Sequence, residues 1–143
     1  MEIRALHPGD EDVLANVGTD VFDHALDPGA TREFLRDPRH HIVVAIDDEV
    51  IVGFASAVHY FHPDKPKPEL FINEVGVAST HRRRGIGTAI LRSLIDHGRS
   101  LGCVDAWVLT ERSNPEAMAL YAKSGGDADA TDHVMFTFRV VPS

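Results

Sequence analysis

A short basic turn followed by two glycines is the feature of this chain with the clearest chemical use. Residues 69–78 have the apolar pattern of a strand, 82–84 are three arginines, and an amphipathic helix pattern follows Gly85. The first N–H groups of a helix lack partners within the helix, and its dipole puts partial positive charge there. Gly85 and Gly87 let the main chain approach a ligand closely. The pattern predicts a site for a phosphate-bearing cofactor.

The two best-known phosphate-binding patterns do not account for this turn. A dinucleotide site needs G-x-G-x-x-G after the first strand, with an acidic residue about 20 positions later. A Walker loop needs G-x-x-x-x-G-K-[ST]. Neither occurs in the sequence. For the turn taken alone, an arginine-rich surface turn before a helix is the alternative interpretation.

The order of strands and helices along the chain predicts an α+β fold with one mixed sheet, and the basic turn lies between a strand and a helix of that fold. Its helix and the one starting at Asn114-Pro115 each follow a strand, at the strand end where open sheets commonly bind ligands. Prolines at 63, 66 and 68 predict a solvent loop. The predicted strands are 2–6, 42–46, 50–55, 69–78, 103–110 and 134–141, and the predicted helices are 10–22, 31–35, the segment between Gly85 and Gly102, and 114–124.

Composition predicts one ordinary globular domain, residues 1–143. The chain is 43% apolar and 25% charged, and no apolar run reaches the roughly 18–20 residues of a membrane span. A net charge of −8 argues against nucleic-acid binding and is compatible with a cationic substrate. A single cysteine and an N-terminus without a secretory pattern predict a cytoplasmic protein.

The histidines and the cysteine do not form a metal-binding pattern. Neither H-E-x-x-H nor a Cys/His set occurs among the nine histidines and the single cysteine, so no metal is expected. Cys103 follows Gly102 at the start of a predicted strand and has no base partner in the sequence. A buried, inert thiol is the expectation there.

Together with Thr88, Asn114 and the ending Leu120-Tyr121-x-Lys123-x-Gly125, the turn resembles the GCN5-related N-acetyltransferase (GNAT) family over residues 42–140. The resemblance implies a mostly antiparallel sheet with helices on both faces, acetyl-coenzyme A as cosubstrate, and a homodimer as the common assembly of relatives. It implies that the turn holds the pyrophosphate and that the strand backbone and Asn114 flank the pantetheine arm. The implied cofactor-binding residues are Val75, Val77, Arg82, Arg83, Arg84, Gly85, Ile86, Gly87, Thr88 and Asn114.

Two residues are candidates for proton transfer in such a reaction. Tyr121 would protonate the leaving thiolate as a general acid, and Glu74 would accept the proton of the attacking amine. The alternatives are a core tyrosine and a solvent-facing strand carboxylate. A main-chain N–H near Val75 would polarise the thioester carbonyl. Strand alternation predicts that Asn73 points to the face opposite Glu74.

Residues 68–77, 81–83 and 119–123 are similar to the small aminoglycoside 3-N-acetyltransferases, which implies an aminoglycoside acceptor. Asp23, Glu74 and Glu111 are the predicted substrate-binding residues, and the acidic segment 127–132 either lines that cleft or is a solvated loop. Ser124-Gly125-Gly126 departs from the family ending and predicts a looser helix end. Another small amine, a protein or peptide amine, and a non-catalytic acyl-coenzyme A-binding module are the alternatives.

Overall fold

A computed structural model describes residues 1–129 and 132–141 of the chain. Its strands are β1 (Glu2–Ala5), β2 (His40–Asp47), β3 (Val50–His62), β4 (Lys65–Val77) and β5 (Ala106–Val108). Its α-helices are α1 (Pro28–Arg36), α2 (Ile86–Ser100) and α3 (Pro115–Lys123), and 3-10 turns occupy Glu11–Ala15 and Ser79–His81. No helix of the described residues is long and apolar enough to cross a bilayer.

The five strands form one sheet in chain order, β1 to β5. Neighbouring strands are antiparallel from β1 to β4, whereas β4 and β5 are parallel and pair only between Leu70–Ile72 and Ala106–Val108. Because α2 connects β4 to β5, the parallel pair has the helical crossover that such a pair requires. The predicted α+β class with a mostly antiparallel sheet is confirmed.

The hairpin of β2 and β3 forms where the sequence predicts it. Asp48 and Glu49 connect the arms with φ values of 51° and 65°. Two consecutive residues with positive φ are the geometry of a tight two-residue hairpin turn. The arms are rich in β-branched residues and bury Val43 and Val44 completely.

The core lies on both faces of β3. On one face α2 packs so closely that a Cβ on Gly53 would come within 3.0 Å of Ile90. On the other face the chain between the first 3-10 turn and α1 crosses the sheet, and Phe22 stacks on Phe54 with ring centroids 3.9 Å apart. Gly76 lies under this crossing, since a Cβ there would meet the Val21 carbonyl oxygen at 2.3 Å.

The predicted helix over residues 10–22 is wrong beyond its first turn. Only Glu11–Ala15 is helical, as a 3-10 turn. The following segment instead bridges to β3, where the Ile51 N–H donates to the Asn16 carbonyl at 2.9 Å and the Gly18 N–H donates to the Ile51 carbonyl at 2.8 Å. Its apolar residues are therefore buried where this loop crosses the sheet. Their spacing matches the helical period although no helix forms.

Three strand predictions also differ from the structure. Residues 65–68 belong to β4 rather than a loop, and proline is tolerated there because β4 is paired on one side only before Leu70. The strand predicted at 103–110 is limited to Ala106–Val108. The last predicted strand, 134–141, has no strand structure in the described chain.

Three histidines form a hydrogen-bonded chain between α2 and the sheet. His41 Nε2 lies 2.7 Å from His59 Nδ1, and His41 Nδ1 lies 3.0 Å from His97 Nε2. His41 is only 9% exposed. The two nitrogens of His41 face different partners. Three neutral rings, each with one N–H donor and one acceptor nitrogen, can therefore form both hydrogen bonds.

Protonation of His41 and of His97 is disfavoured in the folded protein. Burial, and after it the neighbouring His97 and His59, lower the pKa of His41 from 6.5 to about 4. The nearby His40 also lowers the His41 pKa, whereas Asp37 opposes the shift. Between those two pH values the unfolded chain binds more protons than the folded one, so the free energy of unfolding falls as pH falls.

A His41→Gln variant is expected to lose part of this pH dependence, because an amide can hydrogen-bond but does not titrate. The measurement is the melting temperature between pH 7 and 4 by circular dichroism. In the wild type it should fall steeply below about pH 6.5, and less steeply in the variant. His24→Gln, at an exposed position, is the control and should follow the wild type. Parallel curves for all three proteins would contradict the assignment.

Candidate active site

The arginine-flanked bend has the backbone geometry of an anion site. Arg83 and Gly85 have φ values of 63° and 78°, and α2 begins directly after them at Ile86. The first helical hydrogen bond runs from the Ala89 N–H to the Gly85 carbonyl at 3.0 Å. The N–H groups of residues 86–88 thus precede the helical ladder, beside a turn whose left-handed residues form an anion-binding concavity.

Side chains outside the bend hold in place the segment that leads into it from β4. His81 Nε2 lies 2.8 Å from the Asp47 carboxylate, and the Ser79 N–H donates to the Asp20 carboxylate at 3.2 Å. Hydrogen bonding to His81 lowers the pKa of Asp47, and hydrogen bonding to the Ser79 side chain and then to its N–H lowers the pKa of Asp20. Arg82 Nε donates to the Val77 carbonyl at 3.3 Å. The bend is therefore fixed to β4 and to the β2–β3 turn, while the arginines at 82–84 remain exposed.

The edge of β4 next to the bend is open. Pairing with β5 ends at Ile72, so residues 73–77 have no strand partner on that side within the described chain. Val75 and Val77 lie in this open stretch. An extended ligand could add there as a strand, as predicted for the pantetheine arm.

Asn114 caps α3 in the structure. Its Oδ1 accepts from the Ala117 N–H at 3.1 Å, and Pro115 occupies the first helical position. The amide oxygen is thus engaged locally, and the side-chain NH₂ is the group with which Asn114 would contact a ligand. This cap explains the Asn-Pro pair without reference to a ligand.

The predicted loosening of the α3 end is wrong. Gly125 has a φ of 99°, the Gly126 N–H donates to the Tyr121 carbonyl at 2.9 Å and the Gly125 N–H to the Ala122 carbonyl at 3.1 Å. These bonds form a Schellman end, for which a glycine in the left-handed region is well suited. Ser124 Oγ also donates to the Leu120 carbonyl at 2.7 Å.

Gly87 is required for the packing of α2 against α3. A Cβ at Gly87 would meet Leu120 Cδ1 at 3.0 Å. Contact between α2 and α3 therefore depends on the missing side chain, and it places α3, which contains Tyr121, against the first turn of α2. Close approach of the Gly87 main chain to a ligand stays a prediction, and no atom lies within 4 Å of a Cβ built at Gly85.

Tyr121 is half-buried, and burial raises the pKa of its phenol above the ordinary value of 10. The hydroxyl is therefore protonated at neutral pH, as a general acid must be. Within residues 1–129 and 132–141, no side chain or carbonyl hydrogen-bonds this hydroxyl. The phenol proton is available to a ligand.

A cavity of about 230 Å³ lies at the middle of β4 and is open to solvent. A β-bulge opposite Ser56 and Ala57 interrupts strand alternation, so that Asn73 and Glu74 both line this cavity. The prediction that Asn73 points away is therefore wrong. The lining residues are Val21, Asp23, Phe54, Asn73, Glu74 and Val75.

Two of the predicted substrate carboxylates meet at this cavity and one does not. Asp23 and Glu74 line it, and both are exposed, so Glu74 does not pay the desolvation cost that its apolar flanks suggest. Glu111 lies before α3, where its carboxylate accepts from Ser113 Oγ at 3.3 Å. In the segment 127–132, Asp129 accepts through its carbonyl from Arg112 at 3.1 Å, and residues 130–131 lie outside the described chain.

Comparison of the sequence with profiles of known protein families identifies the family of this domain. Residues 12–126 match the sequence profile of the acetyltransferase (GNAT) family. The chain belongs to the GNAT family. Members of this family are acetyltransferases that use acetyl-coenzyme A.

The names of individual relatives indicate different acetyl acceptors. The chain is 32% identical to the N-alpha-acetyltransferase RimI of Mycobacterium tuberculosis, over 86% of this chain and 76% of that one. It is 30% identical to an L-2,4-diaminobutyric acid acetyltransferase of Nocardia farcinica, over 84% of this chain but only 61% of the relative's length. The fold is similar to that of an aminoglycoside acetyltransferase from an uncultured soil metagenomic sample, with a TM-score of 0.82, 16% identity and 96% of each chain covered.

No cluster of three or more His, Cys, Asp or Glu residues within the described chain could hold a metal ion. Burial raises the pKa of the Cys103 thiol, which disfavours a reactive thiolate. A larger cavity of about 650 Å³ between the first 3-10 turn and α1 contains none of the predicted site residues.

Proposed function

We propose that this GNAT domain transfers the acetyl group of acetyl-coenzyme A to a primary amine by direct attack. The observation that carries the proposal is the contact of Leu120 with Gly87, which places α3, the helix that contains Tyr121, against the anion-binding start of α2. A cosubstrate whose diphosphate binds the bend would extend along the open edge of β4, toward the cavity that contains Glu74.

Each site residue then has one task. The amine nitrogen attacks the thioester carbonyl carbon, the carbon–sulfur bond breaks, and the Tyr121 hydroxyl donates its proton to the departing thiolate. Glu74 accepts the proton that the ammonium substrate loses before attack, directly or through water, and the second proton of the attacking nitrogen returns through water to the Tyr121 oxygen. The main-chain N–H near Val75 stabilises negative charge on the carbonyl oxygen in the transition state.

The cavity favours a cationic acceptor, because Asp23 and Glu74 are its charged lining residues. We infer an aminoglycoside, acetylated at a 3-amino group, as the first candidate. Its several ammonium groups match two carboxylates better than a neutral acceptor does. The motif similarity to small aminoglycoside 3-N-acetyltransferases supports the same choice.

A peptide or protein N-terminal amine is the second candidate. It is favoured by the 32% identity to a RimI N-alpha-acetyltransferase over 86% of this chain. An N-terminal amine would also be attracted by the carboxylates at the β4 bulge, but it brings a single positive charge.

Thiol release from acetyl-coenzyme A, measured with a panel of amines, tests the proposal. The panel contains gentamicin-type aminoglycosides, polyamines, L-2,4-diaminobutyrate and short peptides with free N-termini. We expect the highest kcat/KM with the aminoglycosides, and mass spectrometry of the product should place the acetyl group on a 3-amino nitrogen. Turnover of peptides alone would select the second candidate. Binding of acetyl-coenzyme A without thiol release from any amine would indicate a non-catalytic module.

The role of Glu74 is tested by Glu74→Gln. The variant should lose about 10²-fold in kcat at pH 6, where the amine is almost fully protonated and a base is needed. The loss should shrink toward pH 9, since more of the amine then arrives deprotonated. Glu111→Gln, outside the cavity, is the matched control and should stay near wild type. A loss that is constant across the pH range would assign Glu74 to substrate positioning instead.

A further inference from the structure

The bend before α2 contains a residue whose backbone conformation is unfavourable by itself. Arg83 has a φ of 63°, in the left-handed region that residues other than glycine rarely occupy. Such a conformation persists only where the surrounding structure imposes it. The Arg83 side chain is exposed, so the constraint comes from the elements on either side of the bend. These are α2, which begins at Ile86, and the 3-10 turn Ser79–His81.

His81, the last residue of that 3-10 turn, has both ring nitrogens engaged. Its Nε2 lies 2.8 Å from the Asp47 carboxylate, and its Nδ1 lies 2.7 Å from the Thr80 hydroxyl. When the hydroxyl donates to Nδ1, Nε2 carries the N–H and donates to the carboxylate, which satisfies all three groups with a neutral ring. The His81 side chain is only 17% exposed. The ring is therefore held in one orientation.

Asp47 connects this ring to the hairpin of β2 and β3. It is the last residue of β2 and pairs with Val50 across the hairpin turn. The turn is also held by Asn16, whose Nδ2 donates to the Glu49 carbonyl at 3.0 Å. A hydrogen bond between residues 34 positions apart thus ties the segment that enters the strained bend to a fixed part of the sheet.

The charge of Asp47 would oppose an anion at the bend if the carboxylate were not engaged. Hydrogen bonding to His81 is the main cause that lowers the pKa of Asp47, and the charge of Arg84 also lowers it. A diphosphate therefore competes with Asp47 for Arg84, and the hydrogen bond from His81 reduces this competition. The two effects of Asp47 have opposite signs. Loss of its hydrogen bond would weaken diphosphate binding, whereas loss of its charge alone would strengthen it.

We propose that His81 and Asp47 form a positioning pair for the cosubstrate. Their hydrogen bond keeps the bend in its strained conformation, so that the N–H groups of residues 86–88 are aligned before the diphosphate arrives. Such preorganisation lowers the cost of binding. The pair acts through the main chain of residues 82–85 and contacts none of the reacting atoms. The proposal rests on the proposed use of acetyl-coenzyme A and names a contact outside the bend on which the affinity depends.

His81→Phe removes the hydrogen bond and keeps a ring at this position. We expect its KM for acetyl-coenzyme A to rise about tenfold, the effect of losing one hydrogen bond to a charged group, with kcat within about twofold of wild type. His81→Gln, whose amide N–H can reach the carboxylate, should restore most of the affinity. With S-acetylpantetheine, a donor without the diphosphate, both variants should have the wild-type kcat/KM. An equal loss with both donors would indicate general damage to the site and overturn the positioning role.

Asp47→Asn is the second variant and should also raise the KM for acetyl-coenzyme A. A lower KM would show that Asp47 acts only through its charge, and would overturn the pairing. His62→Phe is the matched control, because His62 Nε2 lies 3.1 Å from the Glu69 carboxylate at the end of β4 opposite the bend. It should leave the KM unchanged. An unchanged KM in His81→Phe, with acetyl-coenzyme A bound by the wild type, overturns this proposal alone. A wild-type chain that does not bind acetyl-coenzyme A overturns the proposed function as well.

Discussion

Tyr121→Phe is expected to lower kcat by about 10²-fold or more, with little change in the affinity for acetyl-coenzyme A. The substitution removes the hydroxyl proton and leaves the ring, which packs against the core. Burial keeps the wild-type phenol protonated by raising its pKa, so the loss should be present across the neutral range. Initial rates of thiol release at saturating substrates give kcat, and calorimetry gives the affinity for acetyl-coenzyme A.

The second tyrosine of the chain provides the control. The Tyr60 hydroxyl donates to Glu69 at 3.3 Å and accepts from Trp107 Nε1 at 2.6 Å, away from the bend and the cavity. Tyr60→Phe should therefore leave kcat near the wild-type value. If Tyr121→Phe were equally active, the acid of the reaction would have to be another group.

Gly85→Val is expected to raise the KM for acetyl-coenzyme A by about tenfold or more. A β-branched residue is strained at a φ of 78°, and relief of this strain would turn the N–H groups of the bend away from the ligand. The space around Gly85 is empty, so the fold itself should tolerate the side chain. Initial rates at varied acetyl-coenzyme A give the KM.

Gly102→Val separates backbone strain from loss of the anion site. Gly102 has a φ of 88° and equally open surroundings, but it lies at the other end of α2. Both variants should lose similar melting temperature, while only Gly85→Val should raise the KM. An equal rise in both would mean that strain in α2, and not the bend, controls cosubstrate binding.

Local signals in the sequence predicted the elements that form the anion site. Gly85 at the start of α2, Asn114-Pro115 at the start of α3 and the tight turn between β2 and β3 are each specified by adjacent residues. Capping and turn chemistry act over a few positions, so a sequence alone is enough to place them.

Features that depend on distant contacts were missed. The bulge that turns Asn73 into the cavity is visible only when β3 and β4 are aligned. Gly87 is required by Leu120, more than 30 positions away, and residues 16–22 follow β3 and β4 instead of forming a helix. Residues 134–141 have the composition of a strand, but strand structure also requires pairing with a sheet edge, and this segment has no strand partner in the described chain.

The central claim is that a diphosphate binds the main-chain N–H groups where the arginine-flanked bend enters α2. Calorimetric titration with acetyl-coenzyme A and with S-acetylpantetheine, which lacks the nucleotide and both phosphates of the diphosphate, tests it most directly. The account predicts that acetyl-coenzyme A binds at least about 10²-fold more tightly, because its two charged phosphate groups form charge-assisted hydrogen bonds that S-acetylpantetheine cannot form. Equal affinity for the two compounds, or no heat with acetyl-coenzyme A, would contradict it.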